Sequence, residues 1–335
     1  MTRIGINPAR GKISDYIPAR VTVTVLTYIP SLDGYFTNRM DVLKLAFSSL
    51  GANTTFPHDV MVFDNGSCQA VVDYLLDLKA AGQVDYLILS KQNIGKIGAL
   101  KILFHAAPGE VIAYNDDDIF FYPGWLEAQL DILERFPKAG AISGLPVRNA
   151  GGYARKSIDQ TASHPPPGIT VAFERRIPDE WEMDWAFSTG RDPSQHLQAQ
   201  IDWIDTIFSL QSLDRPPLDV IGGANHFQFI TRKEIACKVL PSTWSGKLMG
   251  AMVEMDNAFD QLGLLRLSTV KRYTRHLGNT LSQDVLDEIG VAENQPGNTP
   301  QKKTIHRKNP ILLRIPGSHR FFTALYRKLF DILYR

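Results

Sequence analysis

A chain of 335 residues, 44% hydrophobic and 21% charged, can bury a sizeable core and has the composition of a globular protein. No run approaches the roughly eighteen apolar residues of a spanning helix, and residues 1–16 lack the apolar core of a secretory signal, so the expectation is a cytoplasmic chain. The net charge of +1 hides an asymmetry: residues 301–335 carry nine Lys/Arg against Asp331 alone, +8, while the rest holds 27 basic against 34 acidic residues, −7. An acidic body argues against a general nucleic-acid binder, and the basic tail calls for an anionic partner of its own.

Val21–Thr27 reads as a buried strand, followed by a helix over Asp41–Leu50. Val60–Asp64 is a second strand and Gln69–Ala81 a second helix. Asp85–Ser90 and Lys96–Ala106 repeat the pair, as do Glu110–Tyr114 and Gly124–Arg135, and Ala139–Gly144 adds a fifth strand. This alternation predicts an α/β fold with a mostly parallel, doubly wound sheet, whose ligands gather beyond the carboxyl ends of the strands. The pattern breaks after Asn149, in a Pro-punctuated region holding Trp181, Trp185 and Trp203 that reads either as a pocket-shaping insertion or as a surface excursion. Regularity returns over Leu218–Thr231, near Lys233, and in an acidic helix near Met252–Leu262. Cys68 and Cys237 lie far apart in no metal-ligand spacing and read as reduced thiols.

The strand ends carry the chemistry-bearing residues. Asp64-Asn-Gly-Ser67 reads either as a contact to a base or ribose or as an Asx-type turn. Asn93-Ile-Gly95-Lys96 offers a glycine for close backbone approach and a lysine at a helix start, where a phosphate is favoured. Asp116-Asp117-Asp118 follows the apolar run Val111–Tyr114 directly and precedes Ile119–Tyr122. Three adjacent carboxylates repel one another and need either a cation or full solvation. Core-like flanks favour the cation, and oxygen donors suit Mg²⁺ or Mn²⁺.

Together with Val21–Thr27, these motifs and Pro123-Gly-Trp-Leu126 resemble the GT-A fold of family 2 glycosyltransferases. Gly222-Gly-Ala-Asn225, Glu254-Met-Asp256 and His276-Leu-Gly-Asn279 resemble its later landmarks in the right order, so the resemblance spans about residues 20–280. It implies a GT-A, Rossmann-like sheet with flanking helices and a metal-dependent, inverting transfer of a sugar from a nucleoside-diphosphate sugar to a hydroxyl. By position, it implies nucleotide-sugar contacts at Thr27, Tyr28, Asp64, Asn93, Lys96, Asp116 and Asp117. The divalent ion (Mn²⁺ or Mg²⁺) would rest on Asp118, with Asp116 and His276 as further ligands; His276 reads equally as a strand-end residue packed near Tyr273. Asp256 is implied as the catalytic base with Glu254 second, although acids in a first helical turn also read as helix-dipole partners. The stretch between Tyr28 and Arg39 is longer than the family's usual loop, which counts against Arg39 as a nucleotide contact.

The implied organisation is an N-terminal extension (1–19), a glycosyltransferase domain (20–284) and a basic linker with an amphipathic tail (285–335). Within the domain, 20–149 is the nucleotide-sugar half and 150–284 the acceptor half. From Arg320 onward, basic residues share one helical face and Phe321, Phe322, Leu325, Leu329, Ile332 and Leu333 the other. Such a C-terminal amphipathic helix either lies on an anionic membrane surface or packs on the body. A peripheral position on the inner face of the cell membrane would suit a glycan or lipid-linked acceptor, as in surface polysaccharide or glycolipid synthesis. Two other classes compete: a nucleotidyltransferase, although Thr27-Tyr-Ile-Pro30 is no glycine-rich phosphate loop, and a non-catalytic sugar-binding or scaffold protein.

Overall fold

The structure is a computed structural model that describes residues 9–243, 248 and 252–288. The expected C-terminal amphipathic helix, its linker and the basic tail lie outside the described residues. The elements run β1 (Val21–Thr27), α1 (Arg39–Asn53), β2 (His58–Asp64), α2 (Gln69–Ala80), β3 (Tyr86–Leu89), α3 (Lys96–Ala106) and β4 (Val111–Asp116). They continue through β5 (Ile119–Phe121), α4 (Trp125–Arg135), β6 (Ala139–Ser143), α5 (Lys156–Ser163), β7 (Ile169–Glu174), α6 (Asp179–Ser188) and α7 (Pro193–Gln198). The last are β8 (Asp205–Leu210), β9 (Leu218–Gly222), β10 (Gln228–Arg232), α8 (Lys233–Val239), α9 (Met252–Gln261), β11 (Leu265–Thr269), β12 (Thr274–His276) and α10 (Gln283–Glu288).

Among the described residues, ten strands share one sheet in the order β3-β2-β1-β4-β10-β6-β11-β9-β8-β7. The block β3-β2-β1-β4 is parallel throughout. β10 runs antiparallel to both β4 and β6, and β11 returns parallel to β6. The Trp-containing region supplies β7 and β8, which extend the sheet antiparallel through β9.

β1 is buried at every position because strands flank both its edges and helices cover both its faces. Val21, Val23, Val25, Val60, Val62, Val111 and Ala113 face one core with Phe47, Leu75 and Leu130 from α1, α2 and α4. The alternate residues Leu26, Met61, Phe63, Ile112 and Tyr114 face a second core with Leu100, Phe104, Ala236 and Phe259 from α3, α8 and α9. The period of two thus fixes the register, since a one-residue slip would exchange the two faces of every strand.

A separate two-stranded ribbon pairs β5 with β12, setting His276 opposite Ile119. It delivers a late segment of the chain to the end of β4. Among the described residues no helix is long and apolar enough to cross a membrane.

The loop after β2 lies directly against the loop after β3. Gly66 has φ +89, and a Cβ there would stand 2.7 Å from the carbonyl carbon of Gln92 and 2.9 Å from the amide nitrogen of Asn93. Gly66→Ala is therefore expected to destabilise the fold by at least about 2 kcal/mol. A urea titration should show a lower midpoint at unchanged slope; an unchanged midpoint would mean that the two loops part freely.

Candidate active site

The register places the ends of the parallel strands side by side: Thr27 pairs with Asp64, and Leu26 with Asp116. The loops that follow build one wall of the site. Asp64 accepts from the amides of Gly66 at 3.2 Å and Ser67 at 3.1 Å, which is an Asx-type turn. Asn65 and Asn93 tie that turn to the next loop: Asn65 Nδ2 donates to Asn93 Oδ1 at 3.0 Å, and the Ile94 amide donates to Asn65 Oδ1 at 2.9 Å. Asn93 Oδ1 also accepts from the Gly95 amide at 2.8 Å, which shapes the entry to α3. Asp64 and Asn93 thus hold the loops whose backbone faces the strand ends. Thr27 is buried, and its Oγ1 has no hydrogen-bond partner among the described residues. Tyr28 is exposed, and its amide donates to Asp117 Oδ2 at 3.3 Å.

The three aspartates have three different environments. Lys96, the first residue of α3, donates from Nζ to both oxygens of Asp116 at 2.8 and 2.7 Å. The Tyr114 hydroxyl also donates to Asp116; burial and the nearby carboxylate raise its pKa well above the ordinary value, so it stays a donor. Asp117 is buried against the Arg39 guanidinium. Burial pushes the Asp117 pKa up to about 6; Arg39 opposes that shift, while Asp118 and Asp116 add to it. Asp118 is half-buried; desolvation pushes its pKa up, but His276, Arg39 and Lys96 outweigh that and hold it below the usual carboxylate value.

Arg39 reaches this centre from the first turn of α1. It donates to Asp117, to Asp118 Oδ2 at 3.2 Å and to the Gly278 carbonyl at 2.8 Å. Burial disfavours its charge, yet the two carboxylates more than compensate and raise its pKa. The longer loop after β1 therefore does not remove Arg39 from the site: it is the internal counter-ion of the acidic cluster.

His276 stands where the β5–β12 ribbon puts it. Its Nε2 lies 3.6 Å from Asp118 Oδ2, its Nδ1 is 2.9 Å from the Ser188 hydroxyl, and its ring packs edge-on against Phe227 at 5.0 Å. The Leu277 amide donates to the Asp118 carbonyl at 2.8 Å and locks the two segments together. Among the described residues, no three His, Cys, Asp or Glu side chains form a group able to hold an ion unaided. Asp118 and His276 nonetheless fit as a pair of donors. Asp118 Oδ1 is buried without a partner, and Mg²⁺ or Mn²⁺ commonly completes its shell with waters and substrate phosphates. Asp116 is instead engaged by Lys96 and Tyr114.

On the other side of β4, Asp256 and Glu254 diverge. Both lie on α9, but Glu254 is exposed and Asp256 is 2% exposed. Asp256 Oδ2 accepts from the Tyr153 hydroxyl and lies against His226 Nδ1, both at 2.8 Å. Arg266 Nε approaches Oδ1 at 3.4 Å. Burial and the Asp256 carboxylate raise the Tyr153 pKa, so that the phenol remains a donor. Of the residues in this cluster, the sequence motifs point only to Asp256. Tyr153, His226 and Arg266 come from separate segments, and only His226, next to Asn225 at the entry to β10, carried a local signal.

The model of the family described as glycosyl transferase family 2 matches residues 36–198 of this chain. An uncharacterized glycosyltransferase of Nostoc sp. is 26% identical over 124 residues, covering 37% of this chain and 38% of the relative. The mannosyltransferase PcManGT from Pyrobaculum calidifontis, solved with GDP-Man and Mn²⁺, is similar at 21% identity and TM-score 0.33, over 42% of this chain and 41% of its own. GalNAc-T7, solved with UDP, GalNAc and Mn²⁺, is similar at 12% identity and TM-score 0.46, over 76% of this chain and 43% of its own. This chain therefore spans less than half the length of each.

The raised Asp117 pKa has a signed consequence. Between about pH 4 and pH 6 the folded state keeps this proton while the unfolded chain has lost it, so stability falls as pH rises through that window. In metal-free buffer, wild type should lose stability relative to Asp117→Asn across that range and run parallel to it above. Parallel melting curves from pH 4 upward would contradict the assignment.

Proposed function

We propose that this chain, which over residues 36–198 belongs to glycosyl transferase family 2, transfers a sugar from a nucleoside-diphosphate sugar to a hydroxyl acceptor with inversion, through a catalytic domain spanning residues 20–284. The observation that carries the reading is the cluster at the carboxyl ends of β1, β2 and β4. There Lys96 and Arg39 offset three aspartates beside His276, and α/β sheets of this kind bind ligands at that edge.

In this reading the nucleotide lies along Thr27, Tyr28 and the loop shaped by Asp64 and Asn93. Lys96, at the start of α3, faces the diphosphate, where its cation favours an anion. Asp116, held by Lys96 and Tyr114, is a fixed acceptor for a ribose hydroxyl, and Asp117 positions Arg39 and the Tyr28 amide. Asp118 and His276 would hold a divalent ion, which when bound supplies positive charge against the departing diphosphate. The acceptor hydroxyl attacks the anomeric carbon from the opposite face, and its proton is taken up at the cluster around Asp256. Glu254, exposed on α9, is the less suited base.

The matched relatives are more than twice as long as the stretch they share with this chain, so their donors and acceptors do not carry over to it. The basic amphipathic tail supports a lipid-linked or glycan acceptor at an anionic membrane surface on the cytoplasmic side. Truncation after Asn294 is expected to abolish co-sedimentation with anionic liposomes while sparing catalysis; undiminished sedimentation would remove the membrane from the proposal.

The decisive experiment is a screen of UDP-, GDP- and dTDP-sugars with Mn²⁺, scored for donor hydrolysis and transfer. Turnover of a donor supports the proposal. Pyrophosphate release from a nucleoside triphosphate and a sugar phosphate would indicate a nucleotidyltransferase, and donor binding without turnover a sugar-binding protein. By calorimetry, Asp118→Ala should lose the gain in nucleoside-diphosphate affinity that Mn²⁺ brings. Lys96→Ala should weaken binding with or without the ion. An unchanged Mn²⁺ effect in Asp118→Ala would overturn the ion's assignment.

A further inference from the structure

Asp256 is poorly placed to meet a substrate by itself. Its side chain is 3% exposed, Oδ2 is already shared by the Tyr153 hydroxyl and His226 Nδ1, and Oδ1 faces Arg266 at 3.4 Å. An acceptor hydroxyl would have to displace one of these groups to reach it. His226 differs: its side chain is 30% exposed, and among the described residues no hydrogen bond is made at Nε2.

We propose that His226 is the catalytic base that touches the acceptor, and that Asp256 is a positioning residue acting through it. This deepens the transferase reading and rests on it. The geometry has the logic of a carboxylate–imidazole dyad, in which a buried carboxylate accepts from Nδ1–H, fixes the tautomer and leaves the Nε2 lone pair free. Arg266 Nε stands 3.4 Å from Asp256 Oδ1, on the side of the carboxylate away from the imidazole. Tyr153 fixes Oδ2 from a third direction and stands 3.3 Å from Nδ1.

The backbone carries His226 to the right place. The Asp116 amide donates to the Phe227 carbonyl at 2.8 Å, joining the residue after His226 to the acidic strand end. Phe227 also packs on His276, which faces Asp118. His226 therefore sits at the border between the acidic centre and the Asp256 cluster, where an acceptor hydroxyl must lie to reach a donor bound at the strand ends.

The step balances without a further reactant. The acceptor oxygen forms a bond to the anomeric carbon, and the bond from that carbon to the diphosphate oxygen breaks with its electron pair on the leaving group. The hydroxyl proton passes to His226 Nε2 and later to water. The groups facing the imidazole are Asp256 and Tyr153 at Nδ1 and the Phe227 ring edge, with Arg266 behind Asp256.

The test uses the full chain with the donor found to turn over, measuring transfer against pH and donor affinity by calorimetry. Wild-type kcat/KM should fall on the acid side as the imidazole protonates. His226→Gln should lower kcat by about 10²–10⁴-fold, keep donor affinity and lose that acid limb. Asp256→Asn should lower kcat while keeping an acid limb and donor affinity, because the imidazole remains but its tautomer is no longer fixed. Added imidazole should restore transfer to His226→Ala, which a merely structural role would not allow. An active wild type with His226→Gln within threefold of it, or a crippled variant that keeps the acid limb and ignores imidazole, overturns the inference alone. No transfer by wild type with any donor overturns the transferase reading, and this inference falls with it.

Discussion

A carboxylate buried at the end of a central strand, with a half-buried neighbour beside it, requires a cation, and the chain supplies one in Arg39. Its guanidinium joins Asp117, Asp118 and the Gly278 carbonyl, so one side chain links the start of α1, the end of β4 and the segment after β12. Removing one partner of such a buried pair generally costs about 3–5 kcal/mol, because the remaining charge is left without compensation. Many features of the site follow from this arrangement. The Leu277 amide can reach the Asp118 carbonyl, and His276 can face Asp118, because the same segment is held by Arg39 two residues later.

The reversal of β10 has a comparable effect on the other side. A parallel strand beside β4 would bring its carboxyl end to the acidic edge; antiparallel β10 brings its amino end there instead. Residues 225–227 thereby become neighbours of Asp116. Asn225 Nδ2 donates to the Leu145 carbonyl, and the Gly144 amide donates to Gln228 Oε1 at 2.7 Å, so the entry to β10 is bound to the end of β6 as well. Arg266 on β11 then reaches back to the Tyr153 carbonyl and the Ala224 carbonyl. The two halves of the site are thus assembled on adjacent strands with opposite directions, one from carboxyl ends and one from an amino end.

The parallel half was legible because its signals are local. β-branched runs, short connections and helical periodicity placed β1–β4 and α1–α4 within a few residues, and α3 at its observed bounds. The acidic cluster was legible for the same reason, since three aspartates between apolar flanks form a contiguous pattern. The ion pairs of Arg39 with Asp117 and Asp118 were not legible, because helix α1 aims the side chain at partners far along the chain. Tyr153, His226 and Arg266 were not gathered because they meet Asp256 from a loop, a strand entry and a distant strand, separations on which periodicity is silent. The antiparallel strands β7 and β8 were hidden by prolines and tryptophans that mimic a surface excursion, and their pairing is set by partners far along the chain.

Asp116, Asp117 and Asp118 are chemically identical, so any division of labour among them must come from their surroundings. Lys96 neutralises Asp116, and Arg39 neutralises Asp117 most closely, leaving roughly one negative charge of the three without a full counter-ion. That excess falls at Asp118, which shares Arg39, faces His276 only at 3.6 Å and keeps a buried oxygen without a partner. A centre fully neutralised by lysine and arginine would have no electrostatic reason to admit a dication, and one with three bare carboxylates would repel the diphosphate. In the proposed transferase one residual charge would satisfy both demands: it would attract a divalent ion, whose remaining charge would then favour an anionic donor. On this argument the two basic residues matter as much as the acidic triplet, because they set how much of its charge is left to act.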